Sequence, residues 1–139
     1  MSATEDNKTA VRACLENAAK GNFDALPDVV SPGFELHPAG IRGVAGLVEM
    51  VQGYRDALAD LRVTIEHQFT DGDYVATRST LTGRHEGELM GAPPTGREVS
   101  FSMLTISRCH VGMIEEEWEI ADVVSLLGQI GALPDMANA

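Results

Sequence analysis

The corner Ala92-Pro93-Pro94-Thr95-Gly96, set between two long extended runs, restricts what this chain can fold into more than any other stretch. Two consecutive prolines fix φ and the glycine permits a sharp reversal, so one strand ends there and another begins. Upstream, Leu61, Val63, Ile65, His67 and Phe69 alternate with Arg62, Thr64, Glu66 and Gln68, which is the period of a strand with one wet or partner-facing side. Asp71-Gly72-Asp73 signals a hairpin into a strand from Tyr74 to Thr82. Beyond the prolines, Arg97 to Arg108 reads as a strand, Val111-Gly112 as a turn, and Met113 as the start of the last strand. Four successive strands joined by reversals predict an antiparallel sheet.

The segments before the sheet have a different period. Ser2-Ala3-Thr4-Glu5 has capping-box spacing, Ala10, Val11, Cys14, Leu15 and Ala18 follow a helical stripe, and Lys20-Gly21 supplies a stop. A shorter helix or helical turn is expected over Phe23 to Val30, with Pro27 near a new N-terminus and Ser31-Pro32-Gly33 ending it. Phe34-Glu35-Leu36-His37 alternates as a short strand. Val44, Leu47, Val48, Val51, Tyr54, Arg55 and Leu58 then make a third helical stripe ending near Asp60. Asp122 opens a terminal helix through Leu127 and Ile130, closed by Gly131 and Pro134, and the tail Asp135 to Ala139 has little reason to be ordered. Helices followed by antiparallel strands predict an α+β fold with helices on one face of a curved sheet. The strand after the proline corner is apolar on both faces, with Val99, Phe101 and Met103 against Leu104 and Ile106. A homodimer through the outer sheet face is the expected consequence.

Composition narrows the function classes. At 139 residues, 44% hydrophobic and 22% charged, the chain fits one globular domain. A formal net charge of −11 with ten Lys and Arg argues against nucleic acid, whose phosphates need clustered cations. No apolar run approaches a membrane span, and Met1 to Asp6 resembles no export signal, so a cytoplasmic protein is expected. Cys14 and Cys109 read as buried thiols, with a disulfide between them the less favoured alternative in a cytosolic chain. His37, His67, His85 and His110 are widely separated without a ligand spacing, so neither a metal nor another cofactor is expected.

The acids of the last strand are the chemical candidates. In an unbroken strand Ile114, Glu116, Trp118, Ile120 and Asp122 share one face. Carboxylates beside apolar groups are solvated at a rim or held in a pocket, where desolvation raises their pKa and makes them usable bases. Glu115, Glu117 and Glu119 are neighbours of the opposite parity, a run of acids is usually a solvated face, and one β-bulge would invert which of them point inward. Asp122 stands directly before the terminal helix, where aspartate is a preferred N-cap, so capping and catalysis are both open to it.

The run Gly83-Arg84-His85-Glu86-Gly87-Glu88-Leu89-Met90-Gly91-Ala92-Pro93-Pro94-Thr95-Gly96-Arg97, with Glu116-Glu117-Trp118 and Asp122 behind it, resembles the SnoaL-like polyketide cyclase family, a branch of the NTF2-like cone fold. Phe34-Glu35-Leu36-His37-Pro38 and Leu126-Leu127-Gly128-Gln129-Ile130-Gly131 extend the resemblance over most of the chain. It implies a cone in which N-terminal helices pack on the concave face of the sheet, with a short C-terminal helix. It also implies a cofactor-independent aldol ring closure of a polyketide-like ester, with Asp122 as general acid and base and His37 as a pocket histidine. Alternatives in the same cone are a module that binds a small hydrophobic ligand without catalysis, and a hydrolase or isomerase. Trp118, Tyr54, Phe23 and Met90 are candidate apolar walls, with His85, Glu116 and Glu117 as polar wall residues. Each has a structural alternative: core packing for the apolar groups, a loop-fixing strand end for His85, a carbonyl-bonded position for His37. Glu117 stands where many relatives carry a histidine.

Overall fold

In a computed structural model, residues 2–133 are described. Helix α1 spans Ala3–Lys20; Ser2 caps it by accepting from the Glu5 amide at 3.2 Å, and Gly21, with φ of 78°, closes it in the left-handed conformation. A 3-10 helix, Phe23–Asp28, follows. Pro27 lies inside it rather than at an N-terminus, since a turn this short asks few amide donors of its residues. Strand β1 (Val30–His37) begins four residues earlier than the alternation suggests, taking in Ser31-Pro32-Gly33. The short β2 (Ile41–Arg42) precedes α2 (Gly43–Ala57). Then come β3 (Leu58–Asp71), β4 (Tyr74–His85), β5 (Glu98–His110), β6 (Met113–Ala121) and α3 (Val123–Gln129). The expected tail beyond Leu133, including the stop at Pro134, lies outside the described residues.

One six-stranded sheet carries the order β2-β1-β6-β5-β4-β3. The pairs from β3 to β6 are antiparallel, as the reversals in the sequence require. Strand β1 pairs parallel with β6, setting His37 opposite Trp118. That pairing has no local signature, because the partners are some eighty residues apart and joined through the rest of the fold. Four register shifts interrupt the sheet, one between β1 and β6, two between β3 and β4 and one between β5 and β6. Bulges bend and twist the strands that carry them, so the sheet curves around the helices.

The buried side chains fall into two clusters. One gathers Val11, Cys14 and Ala18 of α1 with Phe34, Leu36, Leu47 and Ile114. The other gathers Ala19, Leu58, Leu61, Val99 and Phe101 with Leu126 of α3. Successive α1 residues Ala18 and Ala19 thus belong to different clusters, and their small side chains leave space where the two meet. Cys14 and Cys109 are both buried and free. Burial pushes the Cys109 thiol up to about 12, and the Cys14 thiol is raised as well, so both are inert as nucleophiles.

Candidate active site

The space between helices and sheet is a cavity of about 70 Å³. Its roof is Cys14, Leu15, Ala18 and Ala19 of α1 with Leu47, Met50, Val51 and Tyr54 of α2. The inner sheet face supplies Leu61, Val63, Leu81, Phe101 and Met103, and β6 contributes Glu117, Glu119 and Ala121. Two carboxyl groups therefore sit in an otherwise apolar wall, and their strand explains how they come to be there. Opposite β6, Arg108 pairs with Glu116 and the next residue, Cys109, with Ile114, so Glu115 is an extra residue without a partner. This bulge resets the alternation. Ile114 points inward before it, and Glu117, Glu119 and Ala121 point inward after it, which is the opposite parity from an unbroken strand.

The cavity strongly alters the chemistry of these two acids. Glu117 is 5% exposed, and its pKa is raised from 4.5 to about 7, chiefly because burial disfavours the charged form. Ser107, its partner across β5 and β6, is fully buried and donates its hydroxyl to Glu117 Oε2 at 2.5 Å, which moderates the rise, while the charge of Glu119 adds to it. Burial also raises the pKa of Glu119. Its carboxylate has no hydrogen-bond partner among the described residues. The Tyr54 hydroxyl is raised by burial and by the charge of Glu119, and its ring stacks on Phe101 with centroids 6.5 Å apart. Glu117, Glu119 and Tyr54 form a compact set of proton donors and acceptors in a dry setting.

Of the residues singled out from the sequence, Tyr54 and Glu117 line this cavity, and the others lie elsewhere. Asp122 is exposed, and its Oδ1 accepts from the Ser125 amide at 3.0 Å as the N-cap of α3. The desolvation expected of a base at that position is not found there, because the strand has ended and the chain is already turning into a helix. His37, Glu116 and Trp118 are on the outer sheet face. His37 Nε2 lies 2.8 Å from Glu116 Oε2, and its ring is 5.6 Å from that of Trp118. Hydrogen bonding from His37, then from Arg108, holds the Glu116 pKa below its usual value, so it is a stable anion at neutral pH.

His85 is fully buried outside the cavity lining. Its Nδ1 accepts from the Thr95 amide at 3.3 Å, and its main chain bonds to Gly96 and Arg97, so it fixes the proline corner. Met90 is 59% exposed in that loop, and Phe23 packs against the core beside α1. Glu119 is the cavity residue that the sequence leaves undecided among the acids of the last strand. Its only signal is the parity it shares with Glu117, and that parity becomes informative only once the bulge at Glu115 is known.

Glu35, His37 and Glu116 each bring one ligand atom within 4.8 Å of the others, a spacing that a divalent cation can bridge. Strand pairing assembles them across β1 and β6, which is why the scattered histidines of the sequence gave no sign of the group. Arg108 already reaches Glu116 at 3.3 Å and Glu115 at 2.7 Å, supplying a cation beside it. The trio lies on the opposite face of the sheet from the cavity.

Residues 8–130 match the family model described as SnoaL-like polyketide cyclase. The nogalonic acid methyl ester cyclase of Streptomyces nogalater is 31% identical over 120 residues, covering 80% of this chain and 87% of that protein. The aklanonic acid methyl ester cyclase DnrD of Streptomyces peucetius is 26% identical over 127 residues, covering 87% and 88%. Among solved structures, wild-type IdmH of Streptomyces antibioticus superposes with a TM-score of 0.80 at 31% identity, over 90% of this chain and 98% of that one. TsrD of Streptomyces laurentii superposes with a TM-score of 0.85 at 25% identity, over 96% and 99%.

Proposed function

This chain belongs to the SnoaL-like polyketide cyclase family, and on that premise we propose that its cavity closes a ring by an intramolecular aldol reaction, with Glu119 carrying the proton. The observation that carries the reading is a pair of desolvated carboxyl groups in an apolar chamber, with a tyrosine hydroxyl beside them. Glu119, without a hydrogen-bond partner among the described residues, removes a proton from a carbon between two carbonyl groups. Such a carbon is already acidic, so one positioned base with a raised pKa is sufficient. The Tyr54 hydroxyl donates to the enolate oxygen as charge develops there. The enolate carbon attacks a second carbonyl of the same molecule, and Glu119 returns its proton to the new alkoxide. Confinement between α1, α2 and the sheet brings the two reacting carbons together.

Glu117 has a different part. Below about pH 7 it is neutral, which keeps a second negative charge out of a chamber that must hold the Glu119 carboxylate and then an enolate. Ser107 fixes its orientation. Two of the relatives are named as cyclases of nogalonic acid methyl ester and aklanonic acid methyl ester, so nogalonic acid methyl ester and its free acid are the substrates to try. Chromatography of the open and ring-closed forms should show acceleration by the wild-type protein and a loss of about 10² to 10⁴ in Glu119→Gln, the usual worth of a positioned proton carrier. Ring closure at the uncatalysed rate with wild-type protein would leave the chamber as a binding site only.

A further inference from the structure

A second cavity, of about 510 Å³, adjoins the chamber and shares Ala19, Leu61 and Val63 with its wall. The remaining lining is Glu16, Lys20, Arg55, Asp60 and Arg62. Cations outnumber carboxylates there by three to two, in a chain where acids outnumber Lys and Arg by 21 to 10. Each carboxylate already has a cation outside the lining: Glu16 meets Arg12 at 3.4 Å, and Asp60 meets Arg84 at 3.9 Å. Lys20, Arg55 and Arg62 have no carboxylate partner among the described residues.

Each of these cations also has an ordinary structural use, and those uses do not satisfy the group. Lys20 stands in the last turn of α1, where a positive charge complements the helix dipole. Arg55 Nη1 donates to the Ala19 carbonyl at 2.6 Å, and its guanidinium lies against Gly21, where a Cβ would come within 2.6 Å of Cζ. Its Nε is buried without a hydrogen-bond partner among the described residues, so the fold satisfies this guanidinium only in part. Arg62 is exposed on the edge strand, and its side chain has no hydrogen-bond or ion-pair partner among the described residues.

The sizes of the two spaces join this cluster to the substrate. About 70 Å³ is less than the roughly 150 Å³ of a cavity that takes up benzene, so a substrate of several rings cannot lie wholly inside the chamber. The adjoining cavity, which shares three wall residues with the chamber, offers space for the part left outside. We propose that this cavity is a subsite for an anionic group, such as a carboxylate, on the unreacting end of the substrate, held by Lys20, Arg55 and Arg62. The inference rests on the chamber being the substrate site. It assigns the chain a substrate that is apolar at its reacting end and ionised at the other.

Equilibrium dialysis near neutral pH compares 2-naphthoate with methyl 2-naphthoate, two probes of one shape that differ in charge. Wild-type protein should bind the acid about ten-fold more tightly than the ester at low salt, the scale of a charge-assisted contact, with the preference shrinking as salt is added. In the Lys20→Gln/Arg62→Gln double variant, whose altered side chains are both exposed, the acid-to-ester ratio should fall to within about two-fold. Equal binding of the two probes by the wild type, or a preference that survives in the double variant, overturns the anionic subsite while leaving the chamber intact. Failure to bind either probe overturns both.

Discussion

Glu117 and Glu119 are two residues apart on one strand, yet among the described residues only Glu117 has a hydrogen-bond partner, and they are predicted to respond differently to the same substitution. Glu119→Gln removes the proton carrier and with it the reaction. Glu117→Gln instead mimics the neutral state of Glu117 at every pH. Wild-type ring closure should therefore weaken above about pH 7 as Glu117 ionises, and Glu117→Gln should lose that falling limb, which a pH–rate profile reads directly. Stability follows the same proton. Between pH 4.5 and about 7 the folded protein keeps a proton that the unfolded chain releases, so stability falls as pH rises through that window and is level above it. A shift of this size costs about 3 kcal/mol above the window. Thermal melts should show Glu117→Gln more stable than wild type at pH 8 and no more stable at pH 4.

At the scale of elements, the order of helices and strands was legible because each carries its own period and its own stop. Ser2 and Glu5 cap α1 as their spacing indicates, and Gly21 ends it. The inward face of β6 was not legible, since alternation predicts a face only while the ladder is unbroken, and the bulge at Glu115 depends on what β5 offers opposite. Asp122, whose place before the terminal helix left capping and catalysis both open, lies just past the end of β6 and caps α3. Asp122→Ala should cost about 1 kcal/mol of stability, the worth of an N-cap, while ring closure in the folded variant stays near the wild-type rate. Melting temperature and initial rate, measured on the same sample, separate the two. The junction of α2 with β3 allows a second test. Gly87 donates its amide to the Ala57 carbonyl at 3.0 Å, and a Cβ there would collide with the Asp56 carbonyl. Gly87→Ala should destabilise by about 3 kcal/mol, which chemical denaturation would detect.

For the molecule as a whole, the two faces of one sheet carry separate tasks. The inner face encloses the chamber, and the outer face presents apolar rows. Phe69, Ala76, Ile106 and Trp118 follow one another across four strands, and Leu104 and Ile120 are paired in the adjacent row. Ile120 is 73% and Leu104 54% exposed, a patch that a second copy of the chain would cover. Sedimentation is expected to find a dimer that Leu104→Asp/Ile120→Asp converts to monomer. Among the described residues no helix is long and apolar enough to cross a membrane. The chamber itself exists only because helices, sheet and bulge together keep two carboxyl groups away from water. Carbon-13 NMR titration of glutamate-labelled protein tests that most directly, with the Glu117 carboxyl signal identified by its loss in Glu117→Gln. A titration midpoint of about 7 is expected for that signal; a midpoint near the ordinary 4.5 would contradict a carboxyl group kept away from water.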